Sequence, residues 1–134
     1  MDINALIKSA CQARENSYSP YSNISVGAAL LTGSGKIYTG ANIESASFSP
    51  TVCAERVAFF SAVHAGEREF LAIAIAGGEN GKEAKATFPP CGVCRQVMAE
   101  FCNGDFQIIL TDGKSTSVYT LDEMLPARFD KKFI

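Results

Sequence analysis

Apolar residues recur at Ile3, Leu6, Ile7, Ala10 and Cys11, the spacing of one helix face, and Asp2 ahead of them is a good N-cap. The chain is therefore expected to open with an amphipathic helix ending near Ser17, followed by a loop from Tyr18 to Asn23. Ser25–Thr32 and Lys36–Asn42 are strand-like and are separated by the turn residues Gly33-Ser34-Gly35, which predicts an antiparallel hairpin. Phe70–Ala76 is apolar almost throughout, the pattern of a central strand. Before it, Ser49 and Pro50 look like an N-cap and a first helical residue. The helix itself begins at the Cys-Ala-Glu triplet of residues 53–55, and its apolar run through Val63 stops at Gly66. Gly77–Lys85 reads as a flexible loop. Pro89-Pro90 precede a helix from about Cys91 to Cys102, with Gly104 as its expected terminator. Phe106–Thr111 and Ser117–Thr120 are joined by too short a link for a parallel crossover, so they should pair antiparallel. A short helix over Asp122–Leu125 ends before Pro126.

Helices interleaved with sheet strands predict a layered α/β fold with a mixed five-stranded sheet. The 134 residues, 47% of them hydrophobic, suit one domain spanning 1–134. Five cysteines, an odd number without a disulfide framework, point to a reducing cytoplasm. The N-terminus has no signal-peptide pattern and no stretch approaches membrane-spanning length, so neither export nor a membrane is expected. A net charge of -2, with twelve scattered Lys and Arg, argues against a nucleic-acid partner.

Chemistry concentrates in two short motifs, Cys53-Ala54-Glu55 and Pro90-Cys91-Gly92-Val93-Cys94. Both sit at helix starts, where the positive end of the helix favours thiolates. Cys91 and Cys94 share a helical face, and Cys53 is the natural third ligand of one zinc ion per chain. Three protein ligands leave a fourth position open to water, the mark of a catalytic site. Cys91 and Cys94 alone also suit a redox pair, and a lone Cys53 suits a core. Glu55 is aimed away from the Cys53 sulfur but beside the open position, where a first-turn glutamate becomes a proton shuttle. Arg56, three residues after Cys53, can lie over thiolates that leave the site with an excess negative charge, and its ordinary alternative is a solvated helix arginine. His64, the sole histidine, belongs to a helix end and not to the metal. Asn42 and Glu44 alternate along an extended segment and so face one side together.

Taken with Tyr18-Ser19-Pro20-Tyr21-Ser22, Val26-Gly27-Ala28-Ala29-Leu30, Gly40-Ala41-Asn42-Ile43-Glu44, Cys53-Ala54-Glu55-Arg56, the run from Pro90 to Gln96 and Leu125-Pro126, these motifs resemble the small homotetrameric cytidine deaminases over essentially the whole chain. The resemblance implies a three-layer α/β/α fold with helices on both faces of the sheet. It implies zinc on Cys53, Cys91 and Cys94, Glu55 as acid and base, Asn42 and Glu44 on the ribose, and the Ala54 amide on the base. It also implies a homotetramer in which Phe129 reaches a neighbouring subunit's site, in keeping with an apolar tail of Phe129, Phe133 and Ile134. Two positions depart from the family pattern: Ile24 stands where a phenylalanine usually flanks the pyrimidine, and Phe48 where a tyrosine is common.

The activity so implied is hydrolytic conversion of cytidine, and of deoxycytidine, to the uracil nucleoside and ammonia in pyrimidine salvage, without an organic cofactor. Three alternatives compete with it. A deaminase of blasticidin-type nucleoside antibiotics shares the metal motifs but not the reason for Asn42, Glu44 and Phe129. A thiol redox protein needs only Cys91 and Cys94, and a zinc-stabilised interaction domain needs a fourth protein ligand.

Overall fold

The computed structural model describes residues 1–134. In chain order its elements are α1 (Ile3–Ala13), β1 (Ile24–Thr32), β2 (Ile37–Ala41), α2 (Ala54–His64), β3 (Phe70–Glu79), α3 (Gly92–Phe101), β4 (Gln107–Thr111), β5 (Thr116–Thr120) and α4 (Leu121–Met124), with 3-10 turns at Arg14–Asn16 and Lys131–Phe133. The strands form one sheet in the order β2-β1-β3-β4-β5. β1 pairs antiparallel with β2 and β3, β4 antiparallel with β5, and β3 parallel with β4. The sheet is therefore mixed, with β3 at its centre as its apolar run predicts.

Alternate side chains of a strand point to opposite faces, and both faces are covered. Leu6 and Ala10 of α1 pack with Ala29, Ala72, Ala74, Ala76 and Ile109 on one side. Ala58, Phe59 and Ala62 of α2 and Met98 of α3 pack with Ala28, Leu30, Ile73, Ile75, Ile108 and Leu110 on the other. This gives three layers, α/β/α. Small residues set the spacing: a Cβ on Gly40 of β2 would lie 2.6 Å from the Ala58 nitrogen and run into the Ala54 carbonyl. The first turn of α2 thus rests directly on the sheet edge.

Three local expectations are corrected. Ser49 and Pro50 do not start α2, because Val52 is still extended, bridged to Ile43, and helical geometry begins only after Cys53 (φ -76°, ψ 155°). Gly77–Glu79 are strand, not loop, since they pair with Val26, Ser25 and Ile24. Gly104 does not end α3 in a left-handed conformation. The helix stops at Phe101 with Cys102 extended, and Gly104 makes room for the Asp122 carboxylate, its carbonyl accepting from the Asp122 N–H at 3.0 Å.

Candidate active site

Cys53 and Cys91 occupy the same structural position, the extended N-cap residue of α2 and of α3. Ahead of α3 the two prolines keep helix from extending back past Cys91: Pro89 and Pro90 cannot supply helix N–H groups, and each disfavours helical geometry in the residue before it. Arg95 then ties the prolines down, donating from Nε to the Pro90 carbonyl (2.8 Å) and from Nη1 to that of Met124 (2.6 Å). Cys94 lies one turn further on and is buried.

The three sulfurs all lie within 4.8 Å of one another, and those of Cys53 and Cys91 are 3.8 Å apart. Tetrahedral zinc with Zn–S bonds of about 2.3 Å separates its sulfurs by about 3.8 Å, so the donor set fits the ion in chemistry and in size. No fourth Cys, His, Asp or Glu joins the group. Arg56 donates from Nη2 to the Cys53 sulfur at 3.5 Å, while its Nε is buried without a partner. The Cys53 thiol is lowered to about 5, first by the neighbouring Cys94 thiol and then by Arg56, against the opposing effect of burial.

Glu55 is 4% exposed. Burial, with a smaller contribution from repulsion by Cys53, raises its carboxyl to about 7. It shares a cavity of about 250 Å³ with Cys53, Ala54 and Cys91, walled by Val26, Val52, Phe88 and Pro89 and bordered by Asn42, Glu44 and Thr51. Ala54 opens α2, where backbone N–H groups have no partner within the helix. A larger hollow of about 730 Å³, between Arg14 and the segments at 83–85 and 112–114, includes none of these groups.

Asn42 is held by Ser17 and by the start of β1, and Glu44 by the loop that precedes β1. Asn42 accepts at Oδ1 from the Ser17 hydroxyl (2.7 Å) and the Val26 N–H (2.8 Å), and donates from Nδ2 to the Ile24 carbonyl (2.9 Å). One Nδ2 hydrogen is left for another acceptor. Glu44 accepts at Oε1 from the N–H groups of Tyr21 (3.0 Å) and Ser22 (3.1 Å), and at Oε2 from the Ser22 hydroxyl. These bonds, the Ser22 hydroxyl foremost, lower its carboxyl below the usual range.

Other sequence-predicted residues fall outside this cavity. Ile24 lines a neighbouring hollow with Gly78, Lys82 and Phe88. Phe129 is 62% exposed, stacked on Phe133 at 5.8 Å, with its carbonyl held by Gln96 Nε2 at 2.8 Å. Phe48 is 69% exposed and meets Tyr21 edge-on at 6.1 Å over an outer hollow that also includes Glu44 and Thr51. The sequence assigns no role to Ser17, Ser22, Arg95 or Phe88, although Ser22 and Arg95 fall within the runs that carry the family resemblance. Phe88 has its own local signal, a large apolar residue directly before the Pro-Pro-Cys run.

Comparison with known proteins agrees with a metal site of this kind. A family model described as the cytidine and deoxycytidylate deaminase zinc-binding region matches residues 1–110. A cytidine deaminase of Sporosarcina psychrophila is 47% identical over 133 residues, covering 98% of this chain and 94% of that protein. The crystal structure of the cytidine deaminase from Burkholderia pseudomallei superposes with a TM-score of 0.87 at 45% identity, covering 96% of this chain and 100% of the other. A blasticidin-S deaminase of Bacillus cereus is more distant, 31% identical over 109 residues, with 79% and 77% covered. The chain belongs to the cytidine and deoxycytidylate deaminase family, zinc-binding enzymes with this three-layer fold.

Proposed function

We propose that this chain hydrolyses cytidine, and deoxycytidine as a second substrate, to the uracil nucleoside and ammonia. One observation carries the reading: a buried carboxyl that belongs to no ligand set stands beside a three-sulfur group, in a cavity that also holds an amide donor and a carboxylate acceptor. Cys53, Cys91 and Cys94 would hold zinc, which supplies the Lewis acidity that makes water a nucleophile near neutral pH.

Glu55 takes a proton from the attacking water and gives it to N3 of the base as the C4–O bond forms. It then carries the second water proton to the departing amino group, so that C4 becomes a carbonyl and ammonia leaves. A carboxyl raised to about 7 serves as acceptor and donor in the same cycle. The Ala54 N–H, free at a helix start, holds the base. The remaining Asn42 N–H donates to a sugar hydroxyl and Glu44 accepts from one, which favours a nucleoside over a free base. Arg56, against the Cys53 sulfur, offsets the negative charge of three thiolates.

Conversion of cytidine to uridine, followed by ultraviolet absorbance with metal-quantified protein, tests the reading. A folded, zinc-loaded protein that leaves cytidine intact would exclude it. Blasticidin S, run in parallel, separates the antibiotic-directed alternative.

The same reading makes residues 1–134 one domain acting in the cytoplasm in pyrimidine salvage, assembled as a homotetramer in which Phe129 completes a neighbour's site. Exposed Val93, Phe129, Phe133 and Ile134 support it, because so apolar a group of side chains suits an interface better than solvent. Sedimentation should give four chains per particle, and removal of residues 129–134 should weaken assembly or raise KM. A fully active monomer would exclude the shared site.

A further inference from the structure

Phe88 is the sole aromatic side chain lining the cavity that holds Cys53, Glu55 and Cys91. Its position is built into the sheet. The segment before it bridges to β3 through Ala86 and Gly77, and the ring then folds over Gly77 itself. Gly77 is buried, and a Cβ there would lie 2.6 Å from Phe88 Cγ and 2.8 Å from Cε1, so only glycine admits the ring. Val26 pairs with Gly77 across β1 and β3 and lines the same cavity, so Val26 and the ring form one apolar wall. Ile24 lines only the neighbouring hollow, which Phe88 also borders, and is absent from that cavity.

We infer that Phe88, and not the residue at position 24, is the chain's own aromatic surface against which the pyrimidine ring packs. The inference rests on the nucleoside reading proposed above and adds to it the residue that recognises the planar base. The remainder of the cavity is polar groups, thiols and small aliphatic side chains. Within one chain, a planar ring bound with its C4 near Glu55 meets one aromatic partner, and aromatic pairs attract beyond their buried area. Packing of this kind is present before and during the reaction alike, so it affects affinity and leaves kcat alone.

The test compares Phe88→Leu with Phe88→Tyr. Phe88→Leu keeps an apolar side chain and removes the ring. It is expected to retain zinc and a near-normal Tm, while the Kd for uridine by calorimetry and the KM for cytidine both rise about two- to tenfold at unchanged kcat. Phe88→Tyr, which keeps the ring, should hold wild-type affinity. Should Phe88→Leu fail to fold, Phe88→Met carries the same expectation.

Unchanged Kd and KM in a folded, zinc-loaded variant would overturn the inference. So would a loss confined to Tm and zinc content with affinity intact, which would make Phe88 a packing residue only. A wild-type protein that neither binds uridine nor converts cytidine would overturn the nucleoside reading and this inference with it. A normal wild type beside an unimpaired Phe88→Leu overturns this inference alone.

Discussion

Glu55→Gln is expected to keep its zinc and its fold while losing at least ~10²-fold in kcat, the low end for a positioned acid and base. The substitution preserves shape and buried volume, so neither cavity formation nor repacking enters the comparison. It removes the one property the proposed mechanism asks of this side chain, exchange of a proton near neutral pH. Glu55 is suited to that exchange because burial raises its carboxyl to about 7. KM should change far less than kcat, because the lost interaction belongs to the transition state. Steady-state kinetics on protein of measured zinc content decides the matter. Near-normal turnover in a folded, zinc-loaded variant would remove Glu55 from the chemistry.

Cys91→Ala should abolish both metal and activity. The protein supplies three sulfurs and no fourth ligand, so loss of one leaves two, too few to hold zinc against dilution. Elemental analysis after gel filtration should give one zinc per chain for the wild type and almost none for the variant. Binding to the folded state alone also stabilises it, so added chelator should lower the wild-type Tm and leave that of Cys91→Ala unmoved. An active, metal-free variant would contradict any mechanism that depends on these thiols.

The parts of this molecule legible in its sequence are those written locally. Both metal motifs are short runs at helix starts, and their residue types restrict the chemistry on their own. The strands, their antiparallel hairpins and the central position of β3 follow from apolar runs and link lengths. What escaped depends on contacts between distant segments. Ser49 and Pro50 form a fair local helix start, but the bridge from Val52 to Ile43 holds the chain extended until Cys53. Gly104 resembles a helix terminator and instead serves the Asp122 carboxylate. Ser17 holds the Asn42 amide across 25 residues of sequence, and no spacing rule connects them. The partition between Ile24 and Phe88 depends on how a connecting segment folds over Gly77.

The single parallel pair in the sheet bears on the order in which the molecule assembles. Cys53 ends the connection from β2, whereas Cys91 and Cys94 lie on the crossover that carries the chain from β3 to its parallel partner β4. Closing the cage brings α3 against α2, and that packing is expected to follow the non-local β3–β4 pairing, the slow part of folding a mixed sheet. Zinc contacts should consequently form after the rate-limiting barrier. Interactions absent at the barrier slow escape from the native state without hastening arrival there. Stopped-flow refolding should then run at one rate with zinc or with chelator, while unfolding is slower when the ion is bound. The ion would govern how long a finished molecule lasts, and the chain alone how soon it is made.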